Sequence, residues 1–354
     1  MKNSTNNILV APLNWGLGHA TRCIPIIREL EKNGFTPIIA SDGIALELLQ
    51  KEFPYLQSVA LPSYEIEYAI DGANFKWKLI KNSPKMIQAI FEEKKLVKNL
   101  VTTFDLKGII SDNRLGVRSK KIPSVFITHQ LNVLSGKTTW ISSKLHQHYI
   151  KKFTECWIPD FQEIPNLTGK LGHIEDSSLT LKYIGPLSRL EKKELPIKYQ
   201  LMVMISGPEP QRTMLEEKLI AKLQNYKGEV IFIKGKLESE QKKEVIKNIT
   251  YYNFMTSNEI ETSINESEMV LCRSGYSSVM DLAKLEKKAF FIPTPGQFEQ
   301  EYLAKKYKRN GITPFAKQDE FRIENLMEIE LYKGLPKLKK LNNWKQLFIL
   351  FKSE

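Results

Sequence analysis

Three cysteines in 354 residues are too few for a disulfide framework. Cys23, Cys156 and Cys272 are odd in number, far apart and in no paired motif, so they read as reduced thiols of a cytoplasmic protein. No apolar run reaches the roughly 18 to 20 residues that span a bilayer. The polar start, Met1 to Asn7, leads straight into a short strand and does not read as a secretory signal. Short repeats and low-complexity tracts are absent. No Asp-x-Asp pair is present to hold a divalent ion against a diphosphate. His146 and His148 lie two apart, a spacing that does not share a helix face, so no metal is expected. Helix-turn-helix, zinc-finger and aromatic RNA-binding signatures are missing, so nucleic acid is not the expected partner despite a pI near 9.3.

The net charge of +12 is concentrated. Residues 74–100 hold seven lysines against two glutamates, and residues 333–354 hold six against one. Both stretches carry apolar residues at helical spacing: Ile87, Ile90, Phe91 and Val97 after a Ser83-Pro84 helix start, and Leu341, Trp344, Phe348 and Phe351 near the end. Basic amphipathic helices either lie on anionic membranes or pack their apolar face into a core. For the first stretch an anionic membrane surface as partner and a core-packing face both stay open; packing is expected of the second.

The length exceeds one usual core and implies two domains. Strands at Ile8–Ala11, Thr36–Ala40, Gly108–Ser111, Ser124–Thr128 and Cys156–Ile158 alternate with helices, including one from about Ser142 to Phe153. A charged, proline-bearing linker covers residues 184–197. A second series follows: strand Leu201–Ile205, helix 211–224, strand Glu229–Ile233 and helix 238–247. Short apolar strands alternating with helices predict parallel, doubly wound sheets. The expectation is an α/β protein of two facing Rossmann-like domains with a cleft between them. In such sheets ligands sit beyond the carboxyl ends of the strands.

Four places carry candidate chemistry. Asn14-Trp-Gly16-Leu-Gly18-His19 follows the first strand; its glycines permit a tight turn and close ligand approach. It lacks the third glycine of a dinucleotide fingerprint, although Asp42 follows the second strand. His19 enters a helix and suits a general base, or merely caps that helix. Asp112 and His129 end neighbouring strands, where either can hold or deprotonate an acceptor hydroxyl, or simply cap the strand. Ser206-Gly207-Pro-Glu-Pro210 takes the equivalent place in the second half and can offer backbone amides to a diphosphate. The densest signal spans 269–304. Strand Met269–Cys272 meets a small turn at Ser274 and Gly275, then a helix carrying Asp281, then strand Ala289–Ile292 and a loop with Gln297, Glu299 and Gln300. Strand, glycine turn and helix N-terminus form an anion site. An acid behind it can take ribose hydroxyls, and the polar loop a sugar.

These residues together resemble GT-B glycosyltransferases, most of all family 28. Gly16-Leu-Gly-His19 is similar to the family's first glycine loop, whose histidine is a candidate base. Thr128-His129-Gln130-Leu-Asn132 resembles its acceptor-side segment. Ile184-Gly-Pro-Leu-Ser-Arg189 resembles the linker start, with an arginine for the donor phosphate. Phe254-Met255 stands where the family holds uracil. Arg273-Ser274-Gly275 with Asp281 resembles its Arg-Ser-Gly and ribose acid, and Glu299-Gln300 its donor-sugar pair. Ser206–Pro210 replaces a glycine-rich loop, and glutamate replaces glutamine at 299.

The resemblance implies an inverting, metal-independent transfer of a sugar from a UDP-sugar co-substrate, with no other cofactor. The acceptor is a glycan, a lipid-linked molecule or a small molecule, met in the cytoplasm or at the inner membrane face. His19 or Asp112 is the base; Arg189 or Arg273 offsets the leaving charge. Expected boundaries are 1–186 for the acceptor domain, 187–196 for the linker, 197–335 for the donor domain and 336–354 for a helix crossing back to the first domain. A non-hydrolysing UDP-sugar 2-epimerase and a non-catalytic nucleotide-sugar-binding subunit are the competing readings.

Overall fold

The structure, a computed structural model, describes residues 6–64, 75–175, 178–338 and 343–352; the side chains of residues 75–84 and of Lys137 lie outside that description, as do the expected contributions of Leu341 and of part of the basic stretch 74–100. Two compact units emerge. One runs to Leu187 and takes in residues 343–352; the other begins at Ser188 and ends at Leu338.

In the first unit the elements are β1 (Asn7–Pro12), α1 (Gly18–Lys32), β2 (Thr36–Ser41), α2 (Gly43–Glu52), β3 (Ser58–Ala60), α3 (Phe75–Thr103), β4 (Leu106–Asp112), β5 (Ser124–Ile127), α4 (Thr139–Ile150), β6 (Glu155–Ile158) and β7 (Leu181–Tyr183). The strands form a seven-stranded sheet in the order β3-β2-β1-β4-β5-β6-β7, and every pairing is parallel. Helices cover both faces of such a sheet, so its central strands must be apolar throughout. Ile8, Leu9, Val10 and Ala11 have no exposed surface. The order reverses between β1 and β4, where Pro12 lies in register with Asp112.

In the second unit β8 (Tyr199–Met204), α5 (Gln211–Leu223), β9 (Val230–Ile233), β10 (Lys243–Ile246), β11 (Ile249–Tyr252), α6 (Ser257–Asn265), β12 (Ser267–Cys272), α7 (Tyr276–Lys284), β13 (Lys288–Phe291) and α8 (Phe298–Arg309) follow in turn. The sheet order is β10-β11-β9-β8-β12-β13. It reverses between β8 and β12, and Leu201, Val203, Leu219, Phe232, Leu271 and Phe290 fill its core.

Four local expectations are corrected. Residues 243–246 form a strand, not part of a helix over 238–247. The segment is rich in helix-forming residues but has no apolar stripe, and β10 instead pairs antiparallel with β11 through a turn at Lys247 with φ of +53°. Helix α4 runs from Thr139 to Ile150, ahead of the expected span of about Ser142 to Phe153 at both ends. Helix α3 begins at Phe75, ahead of Ser83-Pro84. The crossing helix expected over 336–354 is, in the described residues, one short α9 (Trp344–Leu347) and a 3-10 turn (Phe348–Phe351).

That end segment is fixed by aromatic packing, not by helix length. Phe348 lies 5.8 Å from the Phe35 ring and 6.3 Å from Trp157, and Phe351 lies 6.1 Å from Trp157. Gly108 in β4 makes room: a Cβ there would fall 2.2 Å from the Phe351 ring. Gly108→Ala should therefore destabilise the protein by about 1 to 3 kcal/mol through overpacking. Urea unfolding should show this cost largely relieved in the Gly108→Ala, Phe351→Ala double variant relative to the sum of the two singles.

Candidate active site

Each sheet offers one crevice, beyond the strand ends where its order reverses. In the first unit the loop after β1 carries Gly16, whose φ of +71° needs a residue without a side chain. It delivers His19 to the first turn of α1, above the end of β4. There His19 Nδ1 lies 2.8 Å from Asp112 Oδ1. Asp112 is fully buried and receives a two-pronged hydrogen bond from Arg22 Nε and Nη2. Arg22 Nη2 also lies 2.8 Å from His19 Nδ1, and Arg22 Nη1 lies 2.9 Å from Nδ1 of His129, beyond β5. The Gln130 amide nitrogen is 3.5 Å from His129 Nε2. His19, Arg22, Asp112 and His129 thus form one cluster from three separate elements.

Electrostatics separate their capacities. Burial alone would raise the Asp112 pKa, but Arg22 and His19 outweigh it and hold it at about 2. Asp112 is thus a buried carboxylate bound by a guanidinium and paired with His19. Desolvation and then Arg22 lower the His19 pKa. Its side chain retains 12% exposure, so a neutral imidazole is presented at the loop. Gly18 is the first residue of α1.

Behind this cluster a second buried network fixes the loop. Arg114 donates to Asp42, to Glu93 Oε1 at 2.7 Å and to the carbonyls of Pro12 and Pro62. Asn14 Nδ2 donates to Asp42 Oδ2 at 3.1 Å. Asp42 is therefore tied to the loop's frame. His146 has a buried ring nitrogen and packs edge-on to Phe126, while His148 is exposed. Among the described residues no group of three or more His, Cys, Asp or Glu is placed to hold a metal ion.

In the second unit the reversal brings Ser206–Pro210, after β8, beside Arg273–Gly275, after β12. Gly207 has φ of +113°, and a Cβ there would lie 4.0 Å from Thr294 Oγ1. Gly275 caps the N-terminus of α7, which carries Asp281. Ser188 Oγ donates to Asp281 Oδ1 at 2.6 Å. Burial pushes the Asp281 pKa up to about 6, against the opposing charge of Arg189 and the Ser188 hydrogen bond. Linker and α7 thus meet at an acid whose proton is held unusually well.

Two expectations about side chains change. Arg273 is 1% exposed and donates to the carbonyls of Ile292, Pro293 and Gln211 and to Gln318 Oε1. It braces the β12 and β13 loops through these bonds. The Ser274 hydroxyl is buried and donates to the Gln300 carbonyl at 2.8 Å, so only the backbone of this turn can serve a ligand. Gln300 is 7% exposed; its side-chain oxygen accepts from Thr294 N, and its amide nitrogen ends 3.8 Å from where a Gly275 Cβ would stand. Glu299 is half-buried in the first turn of α8. Phe254 and Met255 are 8% and 7% exposed, and Met255 Sδ accepts from Ser263 Oγ.

Arg22 and Ser188 are the residues that sequence reasoning missed. Arg22 stands three positions after His19, a helical spacing that puts both on one face; Ser188 immediately precedes Arg189. Two sheets of this order, each with a loop-borne polar cluster at its reversal, define the GT-B fold. Solved structures agree: that of Acinetobacter baumannii MurG superimposes with a TM-score of 0.52 at 13% identity, over 92% of each chain. Spinosyn rhamnosyltransferase SpnG complexed with thymidine diphosphate does so with a TM-score of 0.56 at 13% identity, over 92% of this chain and 89% of that one. Residues 210–348 match the family model described as the glycosyltransferase family 28 C-terminal domain. A curated relative from Haemophilus ducreyi, UDP-N-acetylglucosamine–N-acetylmuramyl-(pentapeptide) pyrophosphoryl-undecaprenol N-acetylglucosamine transferase, is 22% identical over 328 residues, 88% of this chain and 85% of its own. Residues 210–348 thus resemble a family 28 C-terminal domain, and the chain as a whole resembles GT-B glycosyltransferases.

Ionised Asp281 is disfavoured in the folded state because its pKa, about 6, stands above the ordinary 3.8. The resulting penalty is absent below the unfolded pKa, grows between the two values and is complete above the folded one. Asp281→Asn should thus gain stability at pH 7 by up to about 3 kcal/mol. Chemical denaturation should show that gain vanishing below about pH 4.

Proposed function

We propose that this protein is an inverting, metal-independent glycosyltransferase that moves a sugar from a UDP-sugar to an acceptor hydroxyl. The observation that carries the reading is the His19–Asp112 pair at the reversal of the first sheet, a neutral imidazole backed by an ionised carboxylate. In the reacting tautomer Nδ1–H donates to Asp112, and Nε2 takes the acceptor's hydroxyl proton. The acceptor oxygen attacks the anomeric carbon as the bond from that carbon to the diphosphate oxygen breaks. One displacement of this kind inverts the centre.

In the second unit, the backbone at Ser206–Gly207 and at Ser274–Gly275 lies at the sheet reversal, suited to a diphosphate. Asp281 is suited to ribose hydroxyls, with Ser188 orienting it and Arg189 close enough to offset leaving charge. Phe254 and Met255 are assigned to the base, and Glu299 and Gln300 to the sugar. Gly16, Gly18, His129 and Gln130 are assigned to the acceptor. The Haemophilus ducreyi relative's name, with its UDP-sugar donor and undecaprenol-linked acceptor, supports a UDP donor and a lipid-linked acceptor.

Calorimetry with UDP should show binding that Asp281→Ala weakens tenfold or more; equal affinity would remove the donor assignment. His19→Ala should lower kcat by about 10² to 10⁴-fold with little change in UDP affinity. Unchanged transfer would favour a non-catalytic subunit. Incubation with UDP-N-acetylglucosamine and no acceptor should leave the sugar's configuration intact, since an epimerase would alter it.

A membrane-surface setting at the inner face is supported by a separate observation. On α4, Trp140, Ile141 and Leu145 are 72%, 61% and 58% exposed, with Lys144 beside them. Tyr149 of α4 packs against the buried cluster that holds Ala89 and Ile90 of α3, whose Ile87 and Phe91 are exposed alongside Lys95 and Lys98. Apolar side chains ringed by lysines fit an anionic lipid surface. No helix among the described residues is long and apolar enough to cross a membrane. Flotation with phosphatidylglycerol vesicles at low salt should recover the protein, and Trp140→Glu with Leu145→Glu should abolish recovery; equal recovery would reject this surface.

A further inference from the structure

Arg22 is a buried cation, 2% exposed, placed three residues after His19 on the same helix face. A guanidinium only donates hydrogen bonds. Its contact with Nδ1 of His129 therefore requires that nitrogen to accept. At His19 the same rule gives two partners for one atom. Nδ1 lies 2.8 Å from an Arg22 nitrogen that can only donate and 2.8 Å from an Asp112 oxygen that can only accept while ionised. A neutral His19 ring is satisfied in either tautomer. An imidazolium adds a full positive charge beside the fixed charge of Arg22, which disfavours it. Asp112, which would otherwise stabilise that imidazolium, already has its charge offset by the two-pronged bond from Arg22.

We infer that Arg22 is a positioning residue for the transfer reaction, one that keeps His19 a neutral ring ready to take a proton. The inference rests on the reading of His19 as the base. The charged and titratable groups around His19 are Arg22 on its own helix, Asp112 from β4 and His129 from the loop after β5. The Cys23 thiol approaches Asp112 at 3.7 Å and, with its pKa raised by burial, stays protonated. His146 on α4 lies beyond His129 and is kept neutral by burial, its pKa lowered to about 4. Arg22 is thus the only permanent cation among these groups. After His19 has taken the acceptor's proton, repulsion from Arg22 favours its release to solvent and resets the base.

The test is an imidazole nitrogen-15 titration of the full chain, with His19 assigned through His19→Gln. Wild-type His19 should titrate below the ordinary histidine value of about 6.5. In Arg22→Met, with Asp112 left to His19 alone, it should titrate at least about one unit higher, and Arg22→Lys should restore most of the difference. The acid limb of the kcat–pH profile should move with it: kcat of Arg22→Met at pH 7 falls, recovers at higher pH, and KM for the UDP-sugar is unchanged. Wild-type titration at or above 6.5 overturns the inference, as does an unshifted His19 in Arg22→Met or an activity loss equal at every pH. The wild-type measurement decides even if Arg22→Met does not fold. Because the titration reads no activity, it separates this inference from the base assignment, which fails instead if His19→Ala still transfers sugar.

Discussion

A parallel sheet covered by helices on both faces leaves one place where its backbone can meet a ligand: the carboxyl edge where the strand order reverses. Everything functional in this protein follows from having two such edges. In the first unit the reversal lies between β1 and β4, in the second between β8 and β12. The ends of those strands, and the turns and helix starts just beyond them, carry His19, Asp112, Ser206–Pro210 and Arg273–Gly275. The apolar interiors of the strands exist to hold these short turns in place.

Charge burial then differentiates the two edges. At the first, Arg22 locks Asp112 in its ionised form and leaves His19 as the group able to exchange a proton. Arg114, with Asp42 and Glu93, anchors the loop from below. At the second, buried Arg273 contacts neutral oxygens and no carboxylate, so it acts as a brace for three loops. Asp281 is buried with one serine and a nearby arginine, and its proton affinity rises. The same residue types thus serve opposite ends according to which partners the fold supplies.

Much of the architecture was legible in the chain because the hydrophobic effect writes it in strand-length apolar runs. Ile8–Ala11, Leu201–Ile205 and Met269–Cys272 could hardly be placed elsewhere than in buried strands. The errors fell where tertiary contacts override local preference. Residues 243–246 look helical but complete a sheet edge. The end of the chain was read as one helix, yet the described part is set by two aromatic rings and the space left by Gly108.

The sequence by itself determined the class of chemistry: glycine turns after strands, a histidine entering a helix, an acid two turns into another, and no metal-binding pattern. Those features are local, and local geometry follows from residue type. Only the tertiary structure decided which polar side chains face a ligand and which face one another. Arg273 and Arg22 are both arginines beside a loop, and spacing along the chain does not tell them apart. Whether a guanidinium meets a carboxylate or a row of carbonyls depends on residues 19 to 90 positions away, brought close by packing the strands side by side.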